Sequence, residues 1–449
     1  MNIPTHVKDL TNLIKINGGK AFLVGGAVID TLQGNTPKDW DIEVHGIAFE
    51  NLKTLLENAG LNPKHVGSEF GVLKVADLDI SVPRTENKTG SKHGDFTVIL
   101  DHTMSPREAA RRRDLTINAL LLDLTTFELI DPFAGLGDLN DGRLRATDSK
   151  TFAEDPLRVL RIMQLLPRKG KFVDSSTLDL CRKLSDQFNT LSKERVMGEF
   201  EKLLMKSAKP SIGLKFLLEV NWLKHFPELQ DLVGCPHNPI HHPEGDVWEH
   251  TLLAVDGGAQ ILRHIPEEWK LAFMFGCLCH DLGKPSTTDF VELTSHGHDK
   301  AGEPLARSFM ERLTNETALI DRVCLLTRNH MQPYFLDSGK AGKAAWRRLH
   351  NKVRLDILGW LALCDRSASD ASVLVNGHKR SQAAWTQFML LGAQTTKIAA
   401  TLMGRHLIER GMTPGKRFGA VLAAAYELQL EDNTLTVDEL YRSAAATLV

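Results

Sequence analysis

The chemistry of this chain is carried by acidic residues and histidines that occur at defined spacings. An apolar run at residues 21–24 meets Gly25 and Gly26, and an amphipathic stretch then leads to Asp39 and Asp41. Residues two apart on a strand point to the same face, so the two carboxylates can bind one pair of Mg²⁺ ions. Such a pair activates an attacking hydroxyl and stabilises a leaving pyrophosphate. Together with a glycine turn that can approach phosphates, this order favours nucleotide chemistry.

A basic segment follows at residues 111–119. Arg112 and Arg113 offer forked guanidinium donors that suit phosphate. Asp114 and Asn118 lie one helical turn apart, a spacing suited to a ribose or backbone contact. The alternative is an ordinary helix start with solvated surface arginines.

A second segment combines one acid with two arginines. Pro156 suits the first position of a helix, and Asp155 before it suits the N-cap. Arg158 and Arg161 lie three and six residues after Asp155, so one face presents a carboxylate and two guanidiniums. Such a face can pair with the edge of a nucleobase, because the acid accepts from an exocyclic amine and an arginine donates to a carbonyl.

The second half of the chain carries an ordered set of histidines and aspartates. His250 lies in a helical pattern, His280 and Asp281 are adjacent, and Asp365 lies in a later apolar helix. Imidazole suits transition metals better than Mg²⁺, so this set can converge on such a metal and generate hydroxide for attack on phosphorus. Any one of these histidines alone would more often be a core or surface residue.

Composition describes an ordinary folded protein. The chain has 449 residues, 42% of them hydrophobic and 24% charged, and a net charge of −2. Any nucleic-acid surface must therefore be local, and the arginines of the first third are the candidates. The six cysteines have no disulfide-like or zinc-finger spacing. With no signal peptide and no apolar window of about 18 residues, we expect a cytoplasmic protein.

The elements that must position these residues change in character near residue 150. Before it, short strands alternate with helices and predict α/β structure; after it, apolar residues recur at three and four and predict helices. The segments at 234–245 and 337–343 are predicted linkers, 88–94 a polar loop, and 404–422 two helices around a glycine turn. The clearest early elements are a helix at 51–59 and strands at 71–76, 78–82 and 96–100.

The first part of the chain resembles a known family. The motifs GGAVID, KDWDIEV, RRDLTINALLLD and EDPLRVLR are similar, in order and spacing, to those of class II tRNA nucleotidyltransferases, the CCA-adding enzymes and bacterial poly(A) polymerases. The resemblance implies a polymerase-β-like head, tRNA as a partner, and CTP and ATP as substrates.

The resemblance also implies roles for individual residues. Asp39 and Asp41 would bind Mg²⁺, with Asp79 as a candidate third carboxylate. The nucleotide would be bound by Gly26, Arg112, Arg113, Asp155, Arg158 and Arg161, the last three selecting CTP and then ATP.

One position departs from the family pattern. G-G-x-V-R-D usually carries an arginine that touches the triphosphate, where this chain has Ile29. An isoleucine cannot neutralise phosphate, so the departure predicts weaker nucleotide binding, with Lys38 or Arg111 as the compensating cation.

The second part resembles the HD-domain phosphohydrolases through HPEGDVWEHT and CHDLGKP. The resemblance implies that His250, His280, Asp281 and Asp365 bind a divalent transition metal. His298 and His330 would lie behind the ligands or contact phosphate, and Lys284 would stabilise a phosphate. The tail at 404–422 is also similar to HD-containing members and could serve packing, tRNA binding or dimer formation.

We therefore expect an α/β nucleotidyltransferase head at 1–150, a helical neck at 151–233, an HD domain at 234–370 and a helical tail at 371–449. The expected function is CCA addition to tRNA, with the HD domain hydrolysing phosphate esters such as 2′,3′-cyclic phosphates. The alternatives are an A-adding or CC-adding enzyme, a poly(A) polymerase, or an HD phosphohydrolase with a weakened RNA-binding head. The oligomeric state stays open.

Overall fold

The computed structural model describes residues 3–66, 71–88, 96–337, 342–369 and 397–447. The chain divides into two compact units, residues 1–207 with 212–225, and residues 208–211 with 226–449. The first unit contains the described strands together with helices, and the second is helical where it is described. An α/β part followed by an all-α part is the order that the sequence predicts.

The strands are short and the early helices flank them. The described strands are β1 (Lys20–Val24), β2 (Trp40–His45), β3 (Lys64–Val66), β4 (Val72–Val75), β5 (Leu78–Ser81), β6 (Arg84–Lys88), β7 (Phe96–Leu100), β8 (Leu121–Asp123), β9 (Leu129–Ile130), β10 (Arg143–Leu144) and β11 (Phe172–Val173). The helices up to residue 219 are α1 (Thr5–Ile16), α2 (Gly26–Leu32), α3 (Phe49–Asn58), α4 (Pro106–Arg111), α5 (Gly135–Asp141), α6 (Ser149–Ala153), α7 (Leu157–Lys169), α8 (Ser175–Lys183), α9 (Lys193–Lys206) and α10 (Ser211–Glu219).

The later helices carry the histidine motifs and the tail. They are α11 (Pro227–Gln230), α12 (Val247–Ile261), α13 (Glu267–Cys279), α14 (Lys284–Thr287), α15 (His298–Leu313), α16 (Thr317–Asn329), α17 (Gln332–Asp337), α18 (Lys343–Lys352), α19 (Leu355–Ser369), α20 (Gly404–Glu409), α21 (Lys416–Glu431) and α22 (Val437–Ala446). Short 3₁₀ helices lie at Thr116–Ala119, Ser185–Thr190, Leu223–His225 and Leu262–His264.

Seven of the described strands form a mixed sheet in the order β3-β4-β5-β2-β1-β8-β9. The interior strand β1 is apolar because both of its faces are covered. Leu23 belongs to the core that packs against α1 and α3, whereas Phe22 packs on the other face with Ala110 and Leu121. Strand β2 runs antiparallel to β1 and parallel to β5. This arrangement places the acidic end of β2 beside the start of β5.

The neck helix α7 packs closely on its neighbours in the first unit. Pro156 stands in the N-cap position, so the helix begins at Leu157, one residue later than the sequence predicts. A side chain at Gly213 would lie 2.3 Å from the backbone carbonyl oxygen of Met163, a distance that only glycine permits. The backbones of α10 and α7 can therefore approach each other directly, which fixes the position of α7.

The helices of the second unit bring the histidine motifs together. Helix α12 packs against both α13 and α19, and α16 packs against both α13 and α15. A side chain at Gly283 would lie 2.1 Å from the backbone carbonyl oxygen of His298. The turn after His280 and Asp281 can therefore contact the start of α15 only because Gly283 has no side chain.

The structure matches most of the predicted elements. The predicted helix at 51–59 is α3, and the predicted strands are β4, β5 and β7 within one residue at each end. Helices α20 and α21 flank the predicted glycine turn and share a core with α22 through Leu407, Val421 and Leu440. Residues 89–94 of the predicted loop and 338–341 of the second linker lie outside the described residues. Among the helices described, none is long and apolar enough to cross a membrane.

Candidate active sites

The glycine turn of the first unit faces an acid and an arginine. Gly25 has a φ of 66°, a left-handed conformation that favours glycine, and it caps α2, which starts at Gly26. A side chain at Gly25 would lie 3.5 Å from Asp41 Oδ2 and 3.8 Å from Arg113 Nη1. A side chain at Gly26 would have no described residue within 4 Å apart from its chain neighbours and its own helix backbone. The turn thus leaves open space for a ligand beside Asp41.

The carboxylates of the sheet gather at one point. Asp41 on β2 pairs in register with Asp79 on the parallel strand β5, while Asp39 is exposed and precedes the strand. Burial, Asp79 and Asp39 raise the pKa of Asp41 to about 6, against the opposing effect of Arg113. A carboxylate that resists ionisation because other carboxylates surround it is stabilised by a bound cation. The donor set therefore fits Mg²⁺.

A buried glutamate that the sequence analysis missed holds the two arginines. Glu43 is fully buried, and its Oε2 accepts from Arg112 Nη2 and Arg113 Nη2, both at 3.2 Å. Its Oε1 lies 3.2 Å from His45 Nε2. Burial opposes ionisation, but Arg113, His45 and Arg112 outweigh it and lower the pKa of Glu43 to about 2. The alternation of acids along β2, at 41 and 43, was the signal that could have found it.

The residues predicted to read the base are already bonded within the protein. Asp155 accepts from the backbone N–H of Leu157 at 3.1 Å, as a residue before a helix does. Arg158 donates to the backbone carbonyl oxygens of Thr151 and Arg112, each at 2.8 Å. A base edge must therefore compete with these partners or use the lone pairs that remain on Asp155.

The second arginine of the neck pairs with Asp114. Arg161 Nε donates to Asp114 Oδ2 at 2.6 Å, and Asn118 Nδ2 donates to Asp114 Oδ1 at 2.9 Å. Burial opposes ionisation of Asp114, but Arg161 and Asn118 outweigh it and lower its pKa to about 2. Asp114 and Asn118 thus contact each other, and the ribose contact inferred from their spacing stays a prediction.

These side chains line one cavity of about 580 Å³ within the first unit. Ile29 is not among them, since it is 2% exposed and points into the core. Its side chain fills space beneath α2 rather than facing the cavity. The cavity is lined by Gly25, Gly26, Asp41, Asp79, Arg112, Arg113, Asp155, Arg158, Arg161 and, unforeseen from the sequence, Arg84 and Arg195.

In the second unit, four imidazoles use Nδ1 to contact the surrounding protein and turn Nε2 towards one another. The Nδ1 atoms of His280, His298 and His330 lie 2.9, 2.7 and 2.7 Å from backbone carbonyl oxygens. His250 Nδ1 lies 2.7 Å from Glu244 Oε1. A carbonyl or carboxylate oxygen only accepts, so each Nδ1 carries a proton and Nε2 is the nitrogen that a metal can bind in the neutral ring.

The four Nε2 atoms face one another in two pairs, and each pair could share a cation. His298 Nε2 and His330 Nε2 are 3.0 Å apart, and His250 Nε2 and His280 Nε2 are 3.4 Å apart. Two ring nitrogens at these distances repel each other unless a proton or a metal ion lies between them. Neutral imidazoles whose Nδ1–H is bonded to oxygen are also the form in which histidine binds metals. The residues therefore fit a divalent transition metal.

Asp281 joins two groups of ligands. Its Oδ2 lies 3.2 Å from His280 Nε2 and 3.6 Å from His250 Nε2, whereas its Oδ1 lies 3.4 Å from His298 Nε2 and 3.8 Å from His330 Nε2. In each group the three ligand atoms lie within 4.8 Å of one another, close enough to share one metal ion. Although burial opposes its ionisation, the imidazoles and Lys284 hold the pKa of Asp281 well below its usual value.

Asp365 completes the first group from α19. Its Oδ1 lies 2.9 Å from His250 Nε2 and 3.8 Å from His280 Nε2. Its Oδ2 accepts from the hydroxyl of Tyr334 at 3.0 Å. Burial opposes ionisation, but His250 and His280 lower the pKa of Asp365. The structure thus brings together the four residues that the resemblance implies as ligands, and it places His298 and His330 at similar distances from Asp281.

The segment before α12 supplies groups that the sequence analysis used only to mark a linker. Glu244 Oε1 accepts from His250 Nδ1 at 2.7 Å and from His242 Nδ1 at 2.9 Å. Lys284 Nζ forms an ion pair with Asp281 Oδ2 at 2.7 Å and donates to His237 Nε2 at 3.0 Å. The three histidines close to Glu244 in sequence were the available signal. Glu244 therefore fixes the orientation of His250, as carboxylates behind metal-binding histidines commonly do.

Comparison with protein families matches three parts of the chain. Residues 21–145 match the poly A polymerase head domain, 172–232 the probable RNA and SrmB-binding site of polymerase A, and 247–368 the HD domain. The chain is 36% identical over 324 residues to the multifunctional CCA protein of Alkalilimnicola ehrlichii, covering 70% of this chain and 75% of that protein. The protein of the same name from Tolumonas auensis is 35% identical over 317 residues, covering 69% and 74%.

Solved structures share the fold. A CCA-adding enzyme in apo form II aligns with a TM-score of 0.67 at 19% identity, over 99% of this chain and 96% of that chain. The Thermotoga maritima CCA-adding enzyme in complex with tRNA aligns with a TM-score of 0.61 at 18% identity, over 100% and 97%. These matches confirm the predicted fold class, a polymerase head followed by a helical body with an HD domain. At 36% identity over three quarters of its relative, this chain belongs to the family of the multifunctional CCA proteins.

Proposed function

We propose that the head adds CCA to the 3′ end of tRNA using CTP and ATP, and that the HD centre hydrolyses phosphate esters such as 2′,3′-cyclic phosphates. The single observation that carries the head activity is the register of Asp41 opposite Asp79, beside the open glycine turn and Arg113. Acids, a backbone turn and a guanidinium within one cavity are what a nucleoside triphosphate requires.

The head's own residues bind and orient the nucleotide. Backbone N–H groups at Gly25 and Gly26 approach the triphosphate, and Arg112 and Arg113 neutralise it from positions that Glu43 holds. Mg²⁺ bound by Asp39 and Asp41 would supply activation of the terminal tRNA hydroxyl and neutralisation of the pyrophosphate. Because the arginines are already oriented, they lose little conformational freedom when the nucleotide binds. They can therefore stabilise the charge that develops on the phosphate during transfer.

Base selection falls to the neck. The lone pairs of Asp155 that its partners leave open accept from the exocyclic amine that cytosine and adenine share. Arg158 and Arg161 donate to ring nitrogens or carbonyls once they exchange a protein partner for the base. Uracil and guanine lack that amine at the corresponding position, so this face favours CTP and ATP.

The HD residues support a two-metal centre in which Asp281 is shared. His250, His280 and Asp365 hold one side and His298 and His330 the other. A divalent transition metal there would supply hydroxide at neutral pH for attack on phosphorus. The protein orients each histidine through its Nδ1 partner, which leaves Nε2 facing the centre.

The head activity is tested with a tRNA transcript that ends before its CCA. The protein carries Asp281→Ala so that hydrolysis does not mask extension, and it receives CTP, ATP or both. Asp41→Ala serves as the inactive head, and Asp179→Ala, an exposed acid paired with Arg182, as the matched control. Two additions from CTP and a third only with ATP are the expected result.

Other outcomes identify the alternatives. Extension only of transcripts that already end in CC indicates an A-adding enzyme, a stop after two residues a CC-adding enzyme, and long tails a poly(A) polymerase. No extension overturns the head as a catalyst and leaves the HD centre as the working site. That centre is tested separately with a metal-loaded protein and an RNA ending in a 2′,3′-cyclic phosphate, for which Asp281→Ala must abolish ring opening.

A further inference from the structure

Arg366 is a cation at the opening of the cavity that contains the HD centre. It lines this cavity of about 510 Å³ together with Asp365, the residue before it in α19. The Asp365 side chain is 14% exposed, whereas Arg366 is exposed to solvent. The metal-binding end of the cavity is therefore buried, and Arg366 lies where the cavity meets solvent.

Arg366 differs from the other carboxylate and ammonium groups that line the cavity. Asp281 and Asp365 belong to the metal groups, and Lys284 forms an ion pair with Asp281 at 2.7 Å. Within the described ranges of the chain, the Arg366 side chain has neither an ion pair nor a hydrogen bond. Its charge is thus available to an anion that enters the cavity.

The neighbours of Arg366 place it close to the first metal group. Arg366 and Ser369 are one helical turn apart on α19 and both line the cavity, so this face of the helix forms one wall. The hydroxyl of Tyr334 donates to Asp365 Oδ2 at 3.0 Å. Burial and Asp365 raise the pKa of Tyr334 well above its usual value, and the nearby Arg366 opposes this effect. The guanidinium therefore lies on the same side of the cavity as Asp365, further toward solvent.

A phosphate ester held at the metal groups directs the rest of its molecule toward this opening. An RNA chain with a cyclic phosphate at its 3′ end must leave the cavity there, because the fully buried ligands His250 and His280 close the other end. The phosphodiester of the preceding nucleotide is then the next anion along the chain. A guanidinium presents forked donors that suit this group, which a mononucleotide lacks.

We propose that Arg366 binds the phosphodiester that precedes the terminal phosphate, so that the HD site selects the 3′ end of an RNA strand over a free nucleotide. The inference rests on the proposed phosphohydrolase function and names its substrate class as RNA with a terminal phosphate ester. The terminal phosphate lies at the metal groups, and the chain passes Arg366 as it leaves the cavity. Arg366 thus determines specificity and takes no part in bond cleavage.

The measurement is the affinity of the metal-loaded full-length protein for three probes, by isothermal titration calorimetry. The first is an RNA dinucleotide with a 3′-terminal phosphorothioate, which resists hydrolysis. The second has an uncharged methylphosphonate in place of its internal phosphodiester, and the third is the corresponding mononucleotide. Binding that persists in Asp281→Ala belongs to other sites and is subtracted. Metal content and thermal unfolding establish that each variant is loaded and folded.

We expect Arg366→Ala to bind the first dinucleotide about five- to tenfold more weakly, the effect of one charge-assisted contact near solvent, and the mononucleotide within about twofold of the wild type. The wild type should bind the methylphosphonate probe as weakly as the variant binds the charged one, and the variant should not distinguish the two. Arg307→Ala, which removes an exposed arginine paired with Asp321, is the matched control and should behave as the wild type.

Equal weakening of all three probes would show that Arg366 acts on the terminal phosphate or the metal ions, and it would overturn the proposed contact. Unchanged affinities in Arg366→Ala would overturn it as well, while leaving the hydrolase intact. Ring opening of an RNA 2′,3′-cyclic phosphate by the same preparations tests the hydrolase separately. A wild type that binds the charged dinucleotide through Arg366 but opens no ring would overturn the proposed hydrolysis and not the phosphodiester contact.

Discussion

Arg195 forms a two-pronged ion pair with Asp155, with Nη2 at 2.6 Å from Oδ2 and Nη1 at 3.3 Å from Oδ1. Arg195 lies near the start of α9, forty residues from its partner in sequence. The backbone N–H of Leu157 bonds to the same carboxylate. The acid proposed to recognise the base is therefore held in one orientation by two elements of the neck, and Arg195 positions it.

Replacing Arg195 should weaken base selection more than nucleotide binding. In Arg195→Ala the Asp155 carboxylate can rotate, so we expect discrimination between CTP and UTP to fall about tenfold, the effect of about 1.4 kcal/mol. Single-turnover extension of tRNA lacking CCA measures the ratio. Arg182→Ala, which removes an exposed arginine, is the control. Arg195→Lys should not restore selection, because an ammonium cannot form the two-pronged pair, and full restoration would contradict the argument.

Introducing the family arginine at position 29 should destabilise the head. Ile29 is 2% exposed on α2, so Ile29→Arg would bury a cation without a partner. We expect the free energy of unfolding to fall by more than about 2 kcal/mol, with no gain in CTP affinity. Ile29→Leu, which conserves volume, should cost less than about 1.5 kcal/mol. Tighter CTP binding at unchanged stability would show that this side chain reaches the phosphates.

Asp41 should make the metal-free protein less stable as the pH rises from about 4 to about 6. The folded pKa of about 6 lies above the ordinary value of 3.8, so in this window the folded state holds a proton that the unfolded state has lost. Above pH 6 the penalty is complete, and Mg²⁺ binding should have become tighter through the same range.

Asp41→Asn removes this titration. In the absence of metal, we expect its Tm to exceed that of the wild type by about 2–4 °C at pH 8 and to match it below pH 4. Differential scanning calorimetry in EDTA measures both, with Asp179→Asn as the control. A difference that is the same at both pH values would show that the charge of Asp41 is not the cause.

The shared Asp281 predicts how the HD centre loses metal. Each of the two ligand groups should hold one ion, and Asp281 belongs to both. We therefore expect about two equivalents of Mn²⁺ or Zn²⁺ in the wild type, about one in His330→Ala and none in Asp281→Ala. Elemental analysis after dialysis measures the content. His296→Ala removes an exposed imidazole that lines the same cavity and should retain both. Two equivalents in His330→Ala would contradict a second ion held by His298 and His330.

Short-range spacing carried most of what the sequence determined about this protein. The two acids of D-x-D, the adjacent His280 and Asp281 and the neck acid with its arginines each lie within a few residues, so one short segment presents each set together. The change from mixed to purely helical periodicity predicted the α/β head and the all-α body. These local patterns were sufficient for the family, which the comparisons confirm.

The tertiary structure alone decided which distant residues meet. Parallel pairing of β2 with β5 sets Asp79 opposite Asp41, and burial of Glu43 between two arginines depends on where β2 lies in the sheet. Backbone carbonyl oxygens select the tautomers of His280, His298 and His330. Packing also turned Ile29 into the core, where the sequence pattern placed a phosphate contact. Such contacts join residues far apart in the chain, so strand register and helix packing determine them and local propensity does not.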